Sequence, residues 1–377
     1  MKKNYNITAE VTTKDEKKAV AEMADKINQA EMAGVIFFCS SEYDLDKLAE
    51  EIDATFSCPV IGCTTAGEIG AHYQTNSIVG VSFSSAMFCF HTKTMERLHT
   101  CDAECVKKFI SRMKSKLKFS ETIDPEKMFG FLLIDGLSGL EESVISDLYG
   151  TLEGVSIIGG SAGDNLKFEE TKVYANGKFI SNAAVFTLIE TRLPFKTFKL
   201  QHFVPSEIEM VVTETNPSKR IVYEIDGGPA AEEYAKLVGV DVTKLDAAIF
   251  AMYPVMLQLG DEWYVRSIQK VNEDGSLTFY CAIENGLVLT IGKGVGLVDT
   301  LKEQINKFEA EFEQITFTLG CDCILRRLEI FEKGEKEKME RELNKINFLG
   351  FSTFGEQYNA IHINQTLTGV VFGGETK

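Results

Sequence analysis

The chain has 377 residues, of which 44% are hydrophobic, so it can bury a large core and exceeds the usual size of a single domain. Its 56 acidic against 39 basic residues leave a formal net charge of -17, which opposes attraction to nucleic acid or anionic lipid and argues against either partner. Apolar runs such as 34–39 are far shorter than a bilayer span, the first residues hold no apolar signal core, and nine cysteines spread through predicted elements suit reduced thiols; the expected setting is cytoplasmic.

In chain order, the first predicted elements are an apolar strand at 35–39 and a helix at 44–56, whose apolar residues recur at three- and four-residue spacing. Val60-Ile-Gly-Cys-Thr-Thr-Ala-Gly-Glu68 follows, reading as a short strand that ends in a glycine-acid turn, and then a return strand opened by Asn76. The same succession recurs with a strand at 129–134, a helix at 140–152, Ile157-Ile-Gly-Gly-Ser-Ala-Gly-Asp164 and a strand opened by Asn182. Within this second unit Asn176-Gly177 predicts a hairpin. Pro194, Pro205 and Pro217 then break the pattern, leaving only 195–203 strand-like, and a lobe boundary is expected there, dividing the chain into residues 1–210 and 211–377.

The second lobe opens on residues 221–225 and a helix led by Pro229, and Gly292-Lys-Gly-Val-Gly296 reads as a glycine-rich turn between a strand and a helix. A third unit comprises a strand at 315–319, a helix at 335–346, Phe348-Leu-Gly-Phe-Ser-Thr-Phe-Gly-Glu356 and a strand opened by Asn364. Gly67 and Gly163 are 96 positions apart and Gly163 and Gly355 are 192 apart, so Leu259-Gly260-Asp261, half-way along, reads as a decayed copy. Each crossover implies a parallel neighbour and each close return an antiparallel one. The expected class is α/β, with α+β as the alternative: two lobes of mixed sheets flanked by helices, built from repeated strand-helix-strand-turn-strand units.

These residues resemble the FIST family of bacterial sensory proteins, which have an N-terminal and a C-terminal FIST domain. In the first lobe the resemblance rests on Pro59 to Glu68, Gly159 to Asp164 and His202 to Pro205; in the second, on Glu224 to Ala231, Cys323-Ile-Leu-Arg-Arg327, Gly350 to Glu356 and Asn364-Gln-Thr-Leu-Thr-Gly369. It implies a non-enzymatic protein that binds a small ligand and signals to a sensor histidine kinase or a diguanylate cyclase or phosphodiesterase. A two-lobed chain with no attached output segment is similar to the branch that binds haem b and senses nitric oxide. An amino acid or another small organic molecule, bound without haem, is the alternative ligand.

A haem sensor needs an axial donor in an apolar setting. Among the five histidines His202, flanked by aromatic residues at the predicted boundary, is the candidate axial and metal ligand, against its reading as a hydrogen-bonded strand histidine. Cys323 could offer a thiolate whose pKa Arg326 and Arg327 would lower, or those arginines could pair with a carboxylate or propionate through their fork geometry. Thr65, Glu68, Glu356 and Asn364, at the turns and strand openings, complete the candidate ligand-binding set; the competing reading is that the turn hydroxyls and acids hydrogen-bond neighbouring loop amides. Gly159-Gly-Ser-Ala-Gly163 matches a nucleophile elbow and makes a Ser161 hydrolase a further alternative, but no predicted helix follows the serine, and the repeats place Thr65 and Thr353 at its equivalent positions.

Overall fold

A computed structural model of the protein describes residues 5–100, 103–152 and 154–374. Three of its four sheets follow one plan. In the first, the order is Asn6–Val11, Ile78–Ser84, Met32–Ser40, Val60–Thr65. The second runs Phe88–Glu96, Ala183–Thr191, Met128–Ile134, Ile157–Ser161, and the third Phe195–Gln201, Thr366–Gly373, Ile315–Cys323, Phe348–Thr353. In each, the central strand pairs in parallel with the strand after its crossover helix (Ser40 opposite Thr65, Ile134 opposite Ser161, Cys323 opposite Thr353) and antiparallel with the return strand. The mixed α/β architecture expected from the repeat is therefore present. The leading strand of each sheet and the helices that follow these strands, Glu16–Ile27, Ala103–Lys114 and Leu297–Glu311, extend the repeat beyond its predicted limits.

In each of these three sheets the last two strands at one end come from a different unit. The hairpin Val173–Ala175 and Lys178–Ile180, after the second turn, completes the first sheet; Glu356–Tyr358 and Ile361–Ile363, after the third, complete the second; Glu68–Ile69 and Tyr73–Gln74, after the first, complete the third. The turns close this ring with backbone bonds. Ala66 N–H donates to Ser352 O at 3.0 Å, Gly163 N–H to Thr64 O at 3.0 Å, and Ser161 N–H to Gly355 O at 2.8 Å. Close approach requires the glycine of each turn strand: a Cβ on Gly62, Gly159 or Gly350 would lie 2.5, 2.1 or 2.1 Å from a carbonyl oxygen of the neighbouring central strand.

The inner faces of the three sheets share one core. Phe38 stacks on Phe351 with ring centroids 4.3 Å apart, and Phe131, Leu133, Leu319 and Phe372 belong to the same buried cluster. Helices cover the outer faces, burying Ala19, Val20, Met23 and Ile27 of one helix and Leu48, Ala49 and Ile52 of the next against the first sheet. Asp15 and Asp44 cap those two helices by accepting from Lys18 N–H and Lys47 N–H, satisfying amides that have no partner inside the helix.

Residues 203–294 are inserted between the leading strand and first helix of the third unit and form the fourth, wholly antiparallel sheet. This insertion accounts for the doubled interval between Gly163 and Gly355. Leu259-Gly260-Asp261 is not a copy of the turn but the tip of the hairpin joining Val255–Leu259 to Glu262–Arg266. The boundary expected near residue 210 falls inside the strand Phe203–Asn216, which Pro205 does not end because the register shifts between Pro205 and Glu209. Sheets are hydrogen-bonded across it, since Phe195–Gln201 pairs with Thr366–Gly373. Gly292 and Gly294 lie in the strand Val288–Gly294, so the glycine-rich segment is mostly strand. The Asn176-Gly177 hairpin forms as predicted, with φ of 53° and 77°.

Candidate functional site

The helix Ile324–Glu332 starts where the central strand of the third sheet ends, so Arg326 and Arg327 are helical rather than in the strand with Cys323. Successive helical residues point about 100° apart, and the two arginines enter different surroundings. Arg326 is fully buried: its Nε donates to Asp322 Oδ1 at 2.6 Å and its Nη1 lies 3.0 Å from His202 Nδ1. Because a guanidinium can only donate, His202 Nδ1 accepts, the ring proton sits on Nε2, and it is donated to Glu329 Oε2 at 2.7 Å. Tyr73 Oη donates to Asp322 Oδ2 at one end of this chain and Lys333 Nζ to Glu329 Oε1 at the other. Burial lowers the His202 pKa against the pull of Glu329; burial raises Glu329, but its bonds from His202 and Lys333 outweigh that and leave it below the usual range.

His202, the expected axial ligand, is held inside this network. Its ring is fully buried and both nitrogens are committed to side chains, leaving no lone pair for iron. The surroundings of His202 do not fit haem. The thiolate reading of Cys323 fails for a related reason. Neither arginine is among the groups that perturb its thiol; the sulfur sits in an apolar cluster with Tyr280, Leu325 and Phe354, and burial pushes it well above the ordinary thiol value.

Thr65, Glu68 and Arg327 meet at the first turn. Thr65 Oγ1 accepts from Gly67 N–H at 3.0 Å and donates to Glu68 Oε1 at 2.5 Å, while Ser77 donates to Glu68 Oε2 from its amide and its hydroxyl at 3.1 and 2.7 Å. The third turn repeats this element for element: Gly355 N–H donates to Thr353, Thr353 to Glu356, and Thr366 donates twice to Glu356. Burial raises both carboxyls despite these donors, Glu68 above its usual range and Glu356 to about 8. In the second turn Asp164 instead accepts from the amides of Phe168, Glu169 and Glu170. The turn acids thus hold their own loops. Ser161 is a buried strand residue whose hydroxyl accepts from Gln357 Nε2 at 3.0 Å, and no histidine bonds it, so the elbow and its triad are missing among the described residues.

Beside the first turn an open cleft of about 390 Å³ is lined by Glu42, Ala66, Asn165, Leu166, Arg327 and Phe331. Arg327 donates from Nη2 to Gln74 O at 2.8 Å and lies over the rings of Tyr73 and Phe331, but its Nη1 has no hydrogen-bond partner, and neither has Asn165 Oδ1. Burial pulls the Arg327 pKa down against the nearby Glu68. Asn364 lies elsewhere, where the insertion meets the third turn. Its Oδ1 accepts from Ser267 N–H at 3.4 Å, and its Nδ2 and His362 Nε2, both unpartnered, lie 3.0 and 2.7 Å from the point where a Cβ on Gly355 would sit. The left-handed residue opening the third return strand is Gln365, one position after Asn364.

Sequence reasoning missed Tyr73, Asp322 and Glu329, which complete the His202 network, and Asn165, which shares the cleft with Arg327. Asn165 carried a local sign, being next to the second turn, and Asp322 and Glu329 lie four residues before and three after Arg326; Tyr73 is brought in by pairing between distant units.

The ring of three interlocked units, with buried polar networks where the units join and a cleft at one junction, defines a mixed α/β protein built by internal repetition. The chain belongs to the FIST family: a FIST N domain matches residues 33–228 and a FIST C domain residues 230–359. FIST domains are associated with small-ligand sensing in signal transduction. An uncharacterized protein of Methanocaldococcus jannaschii is 24% identical over 389 residues, an alignment covering 90% of this chain and 73% of that protein. Among solved structures, T. maritima PurL complexed with FGAR aligns with 99% of this chain and 74% of its own at 10% identity, but a TM-score of 0.21 gives that likeness no weight. No described helix is long and apolar enough to cross a membrane.

Proposed function

We propose that the protein is a non-enzymatic sensor of a small organic anion of the amino-acid class, bound without haem in the cleft beside the first turn. The observation that carries this reading is Arg327, which lines the cleft and whose buried Nη1, packed beside Gly67, has no hydrogen-bond partner. A buried cationic donor without an acceptor is costly, and a carboxylate supplies the missing acceptor in a charge-assisted bond. Asn165 Oδ1, which has no hydrogen-bond partner, and the rim carboxylate of Glu42, which already pairs with Lys167 at 2.5 Å, offer acceptors for an ammonium group, which favours an amino acid over a simple carboxylate. Leu166 and Phe331 supply apolar surface for a side chain.

Arg327 and Ala66 belong to different units, so ligand contacts there would bias the ring closure, and family membership supports a separate histidine kinase or cyclic-di-GMP enzyme as the recipient. Calorimetric titration with the free amino acids tests the reading. One or more should bind, and Arg327→Ala should weaken binding by tenfold or more, since a charged hydrogen bond is worth about 1.5–3 kcal/mol. Binding that is unchanged in a natively folded Arg327→Ala protein refutes the site.

A further inference from the structure

The edge strand Phe88–Glu96 of the second sheet carries Cys89-Phe90-His91, and alternation along a strand puts the cysteine and histidine on one face while Phe90 enters the core shared by the units. In the paired strand Glu190 stands directly opposite Cys89, and Leu188 opposite His91. One thiol sulfur, one ring nitrogen and one carboxylate oxygen thereby come within 4.8 Å of one another. We propose that Cys89, His91 and Glu190 form a binding site for a single zinc-class divalent ion, with its fourth coordination position open.

The donor set chooses the ion. Thiolate, imidazole and carboxylate together are the ligands of zinc, whereas calcium and magnesium take oxygen donors and copper(I) takes more sulfur. Zinc bonds of about 2.0–2.3 Å at tetrahedral angles put ligand atoms roughly 3.3–3.8 Å apart, within side-chain adjustment of the spacing seen. His91 Nε2 already lies 2.6 Å from Glu190 Oε1, so the ion takes the place of this bond, and Cys89 releases its thiol proton to solvent on binding.

Glu190 is held for this purpose by backbone donors that are not needed as ligands. Lys118 N–H reaches both its oxygens, at 2.8 and 3.1 Å, and Phe119 N–H reaches Oε2 at 2.8 Å, fixing the carboxylate as outer partners fix metal ligands elsewhere. Glu190 is fully buried, His91 is 9% exposed and Cys89 half-buried, so the ion has a solvent route over the sulfur. His91 also lines a cleft of about 310 Å³ with Phe109, Arg112 and Met113.

Chelator-stripped full-length protein titrated with Co²⁺ tests the assignment, because cobalt reports a bound thiolate through a near-ultraviolet charge-transfer band and a tetrahedral site through intense visible bands. One ion per chain, both signatures, and displacement by Zn²⁺ are expected. Cys89→Ser should abolish the charge-transfer band, and His91→Gln should weaken affinity at least tenfold, each with native circular dichroism. A natively folded wild type without the thiolate band overturns the proposal, as does a band that survives Cys89→Ser, since another cysteine would then be the ligand.

Discussion

Glu356 is a buried acid whose carboxyl is raised to about 8 by desolvation, against the donors Thr353 and Thr366. An unfolded glutamate titrates near 4.5, so between pH 4.5 and 8 the folded chain holds a proton that the unfolded chain has released. The stability this site contributes is complete below pH 4.5 and is lost as pH rises through 8. At 1.36 kcal/mol for each pKa unit, the interval corresponds to a loss of up to about 5 kcal/mol. Glu356→Gln keeps the shape and cannot ionise, so its stability relative to the wild type should be lowest near pH 5, rise up to about pH 8 and level off by pH 9. Urea unfolding followed by circular dichroism at pH 5, 6, 7, 8 and 9 measures the difference, which cancels every other titrating group. A constant difference between variant and wild type across this range would refute the assignment of a proton to Glu356.

Two other substitutions probe the junctions between units. Gly67 has φ of 138°, and a Cβ there would lie 2.1 Å from Arg327 Nη1; Gly67→Ala should cost about 2 kcal/mol or more and weaken amino-acid binding in the same protein, and a neutral effect on both in parallel denaturation and calorimetry would show that the arginine is free to leave. Glu329→Ala removes the acceptor of the His202 ring proton and leaves that buried donor unsatisfied, for a loss of about 1–3 kcal/mol, whereas Glu329→Gln keeps an acceptor and should lose less; equal losses from the two in chemical denaturation would contradict the hydrogen-bonded network.

The fold was legible in the sequence where physics is local. The parallel pairing of Ser40 with Thr65 and of Cys323 with Thr353 follows from strand-helix-strand order, and the Asn176-Gly177 turn from two residues that accept positive φ. The exchange of hairpins was not legible, because Glu68 and Phe351 carry no mark of being neighbours. Nor was the insertion, whose strand Phe203–Asn216 runs through a proline and reads as a break in the pattern. The candidate site divides the same way. That Thr65 serves Glu68 and Thr353 serves Glu356 could be read from spacing, and favoured a structural role. That His202 spends both nitrogens on Glu329 and Arg326, residues more than 120 positions away, could not, and those two contacts decide what the histidine can do.

The exchanged hairpins also bear on how the chain reaches its native state. The third sheet is completed by Glu68–Ile69, and the second by Glu356–Tyr358, so the earliest and latest parts of the sequence each wait for the other. A ribosome that has delivered the first two units has made two sheets, one with its borrowed hairpin in place and one with a bare edge where residues 356–363 belong, together with a hairpin at residues 68–74 that has nothing to pair with. Such long-range closure slows folding and leaves an adhesive strand edge during synthesis. An N-terminal half expressed alone would carry that edge permanently, and self-association rather than an independent half-protein is the state it should reach.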